Sequence, residues 1–225
     1  MCDFFEFPNP NDYIYILSID IGIINLGFIL LECNKDYTIN DIIWFDLINI
    51  TNFIHLDNHS EKKCHLPHTK TFSDWLSHIF YLHHELFELC THILIERQPP
   101  TGHVSVEQLL FFNFRSKSIL IHPRSVHSFM GWKHEDYEQR KEKSIRVLKY
   151  RLFQTKRKYL QDEFNKYERQ HDISDAYVQA LFFVNKKYIE KKMENKKSEH
   201  NKVDDEFFEK FKFQVKVVKD EDVIY

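Results

Sequence analysis

The sequence predicts one α/β domain in which helices flank a mixed five-stranded sheet. Three apolar segments rich in β-branched residues follow one another at hairpin distances, which favours an antiparallel meander. Two further short apolar segments alternate with helical patterns, and this alternation favours strands that pair in parallel. The predicted strands span residues 13–20, 26–33, 41–50, 92–96 and 118–122.

Helical patterns separate and follow these strands. Apolar residues recur at helical spacing between Trp75 and Leu89, and Ser73 is a suitable cap for such a helix. The segment that precedes them is polar and His-rich, which is typical of a surface loop. The predicted helices cover residues 73–90, 107–114 and about 172–188, and the predicted loop covers residues 51–71.

The composition limits the class of protein. The chain has 225 residues, of which 43% are hydrophobic, and this is enough for one sizeable core. Its formal net charge is −3, so any surface for nucleic acid must be local. The segment Met1–Pro8 has no basic residue, and no apolar run reaches the roughly 18 residues that a membrane span needs. We therefore expect a soluble, intracellular protein.

The four cysteines lie far apart without a C-x-x-C pair, so we expect reduced thiols rather than a disulfide framework or a zinc ribbon. A cluster in the predicted loop contains residue types that bind zinc, but their spacing matches no standard ligand pattern. A polar loop that happens to be His-rich is the favoured interpretation, and a metal site is the alternative. The cluster consists of His55, His59, Cys64, His65 and His68.

Four carboxylates occupy positions that can bring them together. Asp20 ends the first predicted strand and Glu96 ends the fourth. If these strands are parallel neighbours, both side chains emerge at the same edge of the sheet. Asp172 and Asp175 are three residues apart at the start of a helix, so both side chains face the same way.

Converging carboxylates repel one another unless a cation lies among them, and hard oxygen ligands select Mg²⁺ or Mn²⁺. Two such ions about 3.5–4 Å apart can activate a water and stabilise the departing 3′ oxygen of a phosphodiester. Each residue also has a simpler interpretation, because strands often end in an acidic residue and helices often begin with one. The conjunction of all four on these elements favours a site with two metal ions.

Short motifs surround these carboxylates: SIDIGIINLG at residues 18–27, IERQ at 95–98, YEQRK at 137–141 and DISDA at 172–176. They resemble the motifs of the Holliday junction resolvases of the RuvC-like superfamily. Bacterial members usually place proline after the first aspartate, where this chain has Ile21, so the poxvirus and fungal mitochondrial branch is the most similar. The similarity extends over residues 13–188 in scattered motifs.

The resemblance implies a ribonuclease H-like fold and a Mg²⁺-dependent homodimer that resolves four-way DNA junctions by paired phosphodiester hydrolysis. It also implies that Asp20, Glu96, Asp172 and Asp175 are catalytic metal ligands and that Lys141 acts close to the cleaved phosphate. Such a protein works wherever DNA is replicated in the cell, and viral replication sites in the host cytoplasm are included in that expectation.

Residues 133–169 are the most basic part of the chain, and tyrosines interleave with the cations. Such a run is often the solvated side of a helix, but beside an acidic metal site we favour contact with DNA. Two residues that follow Glu96 are in a position to approach a phosphate, and an ordinary loop is an equal alternative there. The predicted DNA-binding residues are Arg97, Gln98, Arg140, Lys143, Arg146, Lys156 and Arg157.

A homodimer also follows from the two-fold symmetry of a four-way junction, which needs two nicks on opposing strands. The segment 104–114 contains more apolar residues than one buried helix face accommodates, so we expect the dimer contact there. Burial of this helix on both sides within one monomer is the alternative. The residues concerned are Leu109, Leu110, Phe111, Phe112 and Phe114.

We divide the chain into a nuclease domain, residues 1–190, and a charged C-terminal tail, residues 191–225. Apolar residues alternate within the tail, which is compatible with an added strand. These residues are Phe211, Phe213, Val215 and Val217.

Other functions remain open on the sequence alone. A nuclease of the same fold that cuts RNA–DNA hybrids or flaps has the same carboxylates, and a non-catalytic branched-DNA-binding protein is a further alternative. A sugar kinase or actin-like ATPase is disfavoured, because those folds need a second phosphate loop that this chain lacks. His171 precedes the acidic pair, but a lone histidine is more often structural than catalytic, so we do not assign it to the site.

Overall fold

The chain folds around one mixed five-stranded sheet, in a computed structural model that describes residues 12–52, 66–67, 69 and 71–199. Its strands are β1 (Ile14–Ile21), β2 (Asn25–Cys33), β3 (Ile39–Asn49), β4 (His92–Glu96) and β5 (Ser118–Ile121). They are arranged in the order β3-β2-β1-β4-β5. The first three strands pair antiparallel, whereas β4 is parallel to β1 and β5 is parallel to β4. The predicted fold class is therefore confirmed.

The helices differ from the prediction at several points. The predicted helix over residues 73–90 is two helices that meet at His83, whose ring packs against Trp44 of β3 at 5.5 Å between centroids. A helix that begins at Pro123, directly after β5, was missed, although proline is well suited to the first turn of a helix. The helices are α1 (Phe72–Leu82), α2 (His84–Leu89), α3 (Val104–Asn113), α4 (Pro123–Met130), α5 (Tyr137–Gln154), α6 (Tyr159–Asn165) and α7 (Gln170–Glu199).

Helix α7 continues past the predicted end at Tyr188, so the proposed boundary at residue 190 falls inside a helix. The division of the chain there stays a prediction. The alternating residues 211–217 and the His-rich cluster at residues 55–68 lie outside the described residues. Within the described part of the chain, no helix is both long and apolar enough to cross a bilayer.

Helices cover both faces of the sheet. One core contains Ile16 and Leu31 together with apolar residues of α4 to α7, and the other contains Leu17 and Ile19 together with residues of α1 to α3. All nine residues of β2 are buried for the same reason. A strand that is buried on both faces is mostly apolar, which explains why β1 and β2 have nearly continuous apolar runs rather than alternation.

The first turn of α7 lies very close to the sheet at Gly27. This glycine is paired with Asp20 across β1 and β2. A Cβ atom added to Gly27 would lie 2.2 Å from the backbone oxygen of Asp172. No side chain fits in this space, so the glycine allows α7 to bring Asp172 and Asp175 next to the end of β1.

We expect Gly27→Ala to lower the free energy of unfolding by roughly 3 kcal/mol, because the new methyl group must push backbone against backbone in a packed interior. Urea denaturation followed by circular dichroism measures this change. Gly102→Ala is the matched control, since Gly102 is exposed and its Cβ would meet side-chain atoms of Gln98 and Pro99 rather than backbone. An unchanged midpoint for Gly27→Ala would contradict the close approach.

Candidate active site

The ends of β1 and β4 bring two of the carboxylates together. Ile19 and Ile95 are partners in the parallel pairing, so Asp20 and Glu96 follow side by side at the same edge of the sheet. The two carboxyls are hydrogen-bonded to each other. The Glu96 Oε2 atom also accepts the backbone N–H of Ile21 at 3.3 Å and the Gln98 amide at 2.8 Å.

Burial and mutual repulsion favour the protonated forms of these acids. Burial raises the pKa of Asp20 well above its usual range, and the charges of Glu96, Asp175 and Asp172 raise it further. Burial likewise raises the pKa of Glu96, although the hydrogen bonds from Ile21 and Gln98 oppose that change. Asp20 and Glu96 together therefore retain a proton unless a cation replaces that proton.

Helix α7 places Asp175 in the same cleft. Burial raises the pKa of Asp175 to about 7, and the charges of Glu96 and Asp172 contribute. A hydrogen bond with Ser144 of α5 and the positive charge of Lys141 act in the opposite direction. Asp175 is thus held between α5 and the ends of the strands.

Asp172 has a different set of partners. Its Oδ2 atom accepts a hydrogen bond of 2.8 Å from Nε of Arg169, and its Oδ1 atom lies 2.9 Å from Nε2 of His171. The hydrogen bond to Asp172 raises the pKa of Arg169, and the charge of Asp20 contributes, so the guanidinium lies near the other carboxylates. Burial lowers the pKa of His171.

The structure therefore brings the predicted ligands to one region without closing a complete ligand set. Asp20, Glu96 and Asp175 line a common cleft of about 160 Å³, and Asp172 lies beside it. Among the described residues, no three His, Cys, Asp or Glu side chains are arranged closely enough to hold a metal ion as they are oriented.

Helices α4 and α5 form the opposite wall of this cleft. Lys141 lies there as the motifs predict, with Nζ 4.0 Å from the ring centroid of Tyr137. Sequence reasoning missed the wall that α4 and the following turn supply. It comprises Pro123, Val126, His127 and Trp132.

Gln179 also lines the cleft and was not predicted. Its amide donates to Ser18 Oγ at 3.0 Å and to the carbonyl of Ile19 at 3.2 Å, so it fixes the end of β1 to α7. The available signal was spacing, because Gln179 lies four residues after Asp175 and so on the same helix face.

Gln98 was predicted to contact DNA, but its amide is used inside the protein. It donates to Glu96 and, at 3.3 Å, to the carbonyl of Ile21, while its oxygen accepts the backbone N–H of His103. These bonds give Gln98 the role of orienting Glu96. The side chain of Arg97 is exposed beside it, so a phosphate contact by Arg97 stays a prediction.

The predicted basic surface is divided between two ends of the sheet. Arg140 lines the cleft and donates to the carbonyl of Glu135. Lys143 forms an ion pair with the carboxylate of the same glutamate. Arg146 pairs with Glu142 on the exposed side of α5. These three residues lie on the helix that supplies Lys141, and contact with DNA stays a prediction for each of them.

Lys156 and Arg157 lie far from the cleft. Arg157 pairs with Asp41 at 2.6 Å, and Lys156 donates to the side chain of Asn40 at 3.1 Å. Asp41 of β3 is paired with Glu32 of β2, which lies five residues along that strand from Gly27, a distance of about 17 Å. The carboxylate of Asp41 is 1% exposed, so Arg157 compensates a buried charge, a role that the sequence did not reveal.

Most apolar side chains of α3 pack within the monomer. Val106 and Leu110 are buried, and Leu109, Phe111 and Phe114 pack against the same core. Phe112 is 76% exposed. One core of the monomer thus accounts for most of these apolar residues, and a dimer contact through the side of α3 that carries Phe112 stays a prediction.

Comparison with known proteins identifies the family. The poxvirus A22 protein family matches residues 14–187, which is well over half of the chain. The chain belongs to the poxvirus A22 protein family. The poxvirus branch that the motifs indicated is thereby confirmed, and the matched range contains all four carboxylates and Lys141.

Solved structures show the same fold as this A22-family chain. The fowlpox virus resolvase in complex with substrate Holliday junction DNA is 18% identical with a TM-score of 0.56, over 77% of this chain and 98% of that chain. The yeast mitochondrial Holliday junction resolvase Ydc2 is 18% identical with a TM-score of 0.53, over 77% of this chain and 79% of that chain. No curated protein sequence matches the chain.

We expect Arg157→Ala in this A22-family protein to lower the free energy of unfolding by about 2–3 kcal/mol, because Asp41 is left buried without its cation. Lys156→Ala is the matched control and should change stability by less than about 0.5 kcal/mol, since exposed surface substitutions usually do so. Denaturant titration of both variants checks the difference. Equal stability of the two variants would contradict a structural role for Arg157.

Proposed function

We propose that the protein is a divalent-metal-dependent endonuclease that resolves four-way DNA junctions. The observation that carries this proposal is the convergence of Asp20, Glu96 and Asp175 with Lys141 in one cleft of an A22-family chain. The fowlpox virus resolvase, which shares the fold, is described in complex with Holliday junction DNA. The Holliday junction in that complex supports a four-way junction, rather than an RNA–DNA hybrid or a flap, as the substrate of this protein.

The chemistry of the cleft fits a divalent cation. Its acidic side chains offer only oxygen donors, and repulsion among them raises the pKa of Asp20, which a bound cation would relieve. Asp20, Glu96, Asp172 and Asp175 would hold the ions after small side-chain rotations. Two Mg²⁺ ions, for which Mn²⁺ can substitute, would supply the charge that hydrolysis of a phosphodiester requires.

The remaining residues orient the reacting groups. Lys141 places an ammonium group beside Asp175, where it can hold the cleaved phosphate close to the carboxylates. Gln98 fixes the rotamer of Glu96, and Gln179 fixes the end of β1. Arg140, next to Lys141 on α5, adds a second cation to the wall of the cleft, and this wall is suited to the DNA backbone.

A non-catalytic branched-DNA-binding protein is the second candidate. It has no use for buried like charges, which cost stability and are retained where they serve chemistry. The convergence of these acids beside a lysine therefore favours the nuclease. We propose that it acts where viral DNA is replicated, including the host cytoplasm.

We expect Asp20→Asn, Glu96→Gln, Asp172→Asn and Asp175→Asn each to reduce the cleavage rate of a four-way junction by at least about 10³-fold, because each removes a charged ligand. Junction binding in EDTA should change little, since it then depends on basic residues. A gel that compares a junction, a flap, a duplex and an RNA–DNA hybrid with Mg²⁺, Mn²⁺ or EDTA measures both activity and selectivity. Robust cleavage in EDTA, or by any of the four variants, would rule out the site.

We also expect a homodimer at micromolar concentration, because one cleft makes one nick and a junction needs two symmetrical nicks. Light scattering gives the mass, and a plasmid-borne cruciform reports whether the nicks are paired. Linear, ligatable product is the expected result. A monomer that releases only singly nicked circles would leave a branch-specific nickase in place of a resolvase.

A further inference from the structure

Arg169 holds the one predicted metal ligand that does not line the cleft. Its guanidinium contacts both oxygens of Asp172, at 2.8 Å from Nε and 3.4 Å from an η nitrogen. Asp172 itself is almost fully buried, with its side chain 6% exposed. Its position on α7 is fixed by the close approach to Gly27.

We propose that Arg169 and a divalent cation compete for Asp172, and that the displaced guanidinium then binds a phosphate of the DNA. This inference rests on the proposed function, because it assumes that Asp172 is a metal ligand. It assigns Arg169 as a positioning residue that couples metal binding to DNA binding.

The competition follows from charge and from lone pairs. A guanidinium that donates to both oxygens of a carboxylate occupies the electron pairs that a metal ion needs, and two positive groups at one carboxylate repel each other. Transfer of Asp172 from Arg169 to a divalent cation keeps this buried acid paired with positive charge. Neither step exposes an unpaired buried charge, whose cost would otherwise prevent the exchange.

Arg169 is able to move without disturbing the core. It precedes α7, and its side chain is 51% exposed, whereas that of Asp172 is 6% exposed. Arg169 lies beside the cleft, because it contacts Asp172 and the charge of Asp20 also raises the pKa of Arg169. A guanidinium released there presents paired donors that match the oxygens of a phosphodiester.

Loss of the Arg169 charge should strengthen metal binding but weaken the enhancement of DNA binding by metal. Removal of the Arg169 side-chain charge eliminates the competitor, so metal should bind more tightly. The same change eliminates the released phosphate ligand, so metal should enhance DNA binding less. Because coupling between two ligands is reciprocal, DNA should also strengthen metal binding in the unmodified protein and do so less in the variant.

The variants are Arg169→Gln, which removes the charge, and Arg169→Lys, which keeps the charge without the paired donors. Lys166→Gln is the matched control, because Lys166 lies three residues away and pairs with Glu163. Isothermal titration with Mn²⁺ on the protein alone should show roughly tenfold tighter binding for Arg169→Gln, an intermediate gain for Arg169→Lys and no gain for Lys166→Gln. In Arg169→Gln combined with Asp172→Asn the gain should disappear.

Fluorescence anisotropy with a four-way junction, in EDTA and in Ca²⁺, tests the second step. Ca²⁺ takes oxygen ligands and should tighten junction binding more for the unmodified protein and Lys166→Gln than for Arg169→Gln. Equal Mn²⁺ affinity of Arg169→Gln and the unmodified protein would overturn the competition. Equal enhancement by Ca²⁺ would overturn the release. Absence of Mn²⁺ binding in every variant would instead overturn the proposed metal site.

Discussion

The close approach of α7 to the sheet at Gly27 is the constraint on which the rest of the site depends. Asp20 is paired with Gly27 on the neighbouring strand, and the backbone of Asp172 lies directly above that glycine. Two acids on a helix and two at strand ends can meet only if the helix descends this far. The free energy for doing so comes from the apolar core that α7 shares with α5 and the sheet.

Repulsion among the carboxylates opposes this packing. The protein limits the cost with internal partners: Asp20 and Glu96 share a hydrogen bond, Lys141 lies near Asp175, and Arg169 holds Asp172. Each partner satisfies an acid without filling the cleft permanently. Protonation, an ammonium group and a half-exposed guanidinium are all exchangeable for another cation, so the site is stable enough to fold and still available for chemistry.

Much of the fold could be predicted because β1 and β2 are buried on both faces, which gives each of them a long apolar run. Asp20 marks the end of the first run. Parallel pairing of β1 and β4 then places Glu96 correctly. Helix α4 was missed because its residues are polar on average and follow directly after a strand. The role of Arg157 was missed for another reason: its partner Asp41 lies more than a hundred residues earlier, and no local pattern reports such a distant contact.

Basic residues at the two ends of the sheet have different partners. A count of basic residues therefore does not show which of them stabilise the fold and which face the cleft. Helix α5 is rich in basic residues, and its start faces the carboxylates, while the turn after it neutralises Asp41 at the end of β3 far from the cleft. Under the proposed function, identical residue types serve the substrate in one place and the fold in the other. Only the partner of each cation distinguishes them: a cation that compensates a buried acid is needed by the fold, and one that faces an open cleft is free to bind phosphate. Arg169 combines the two conditions, since it pairs with a buried acid and remains half exposed.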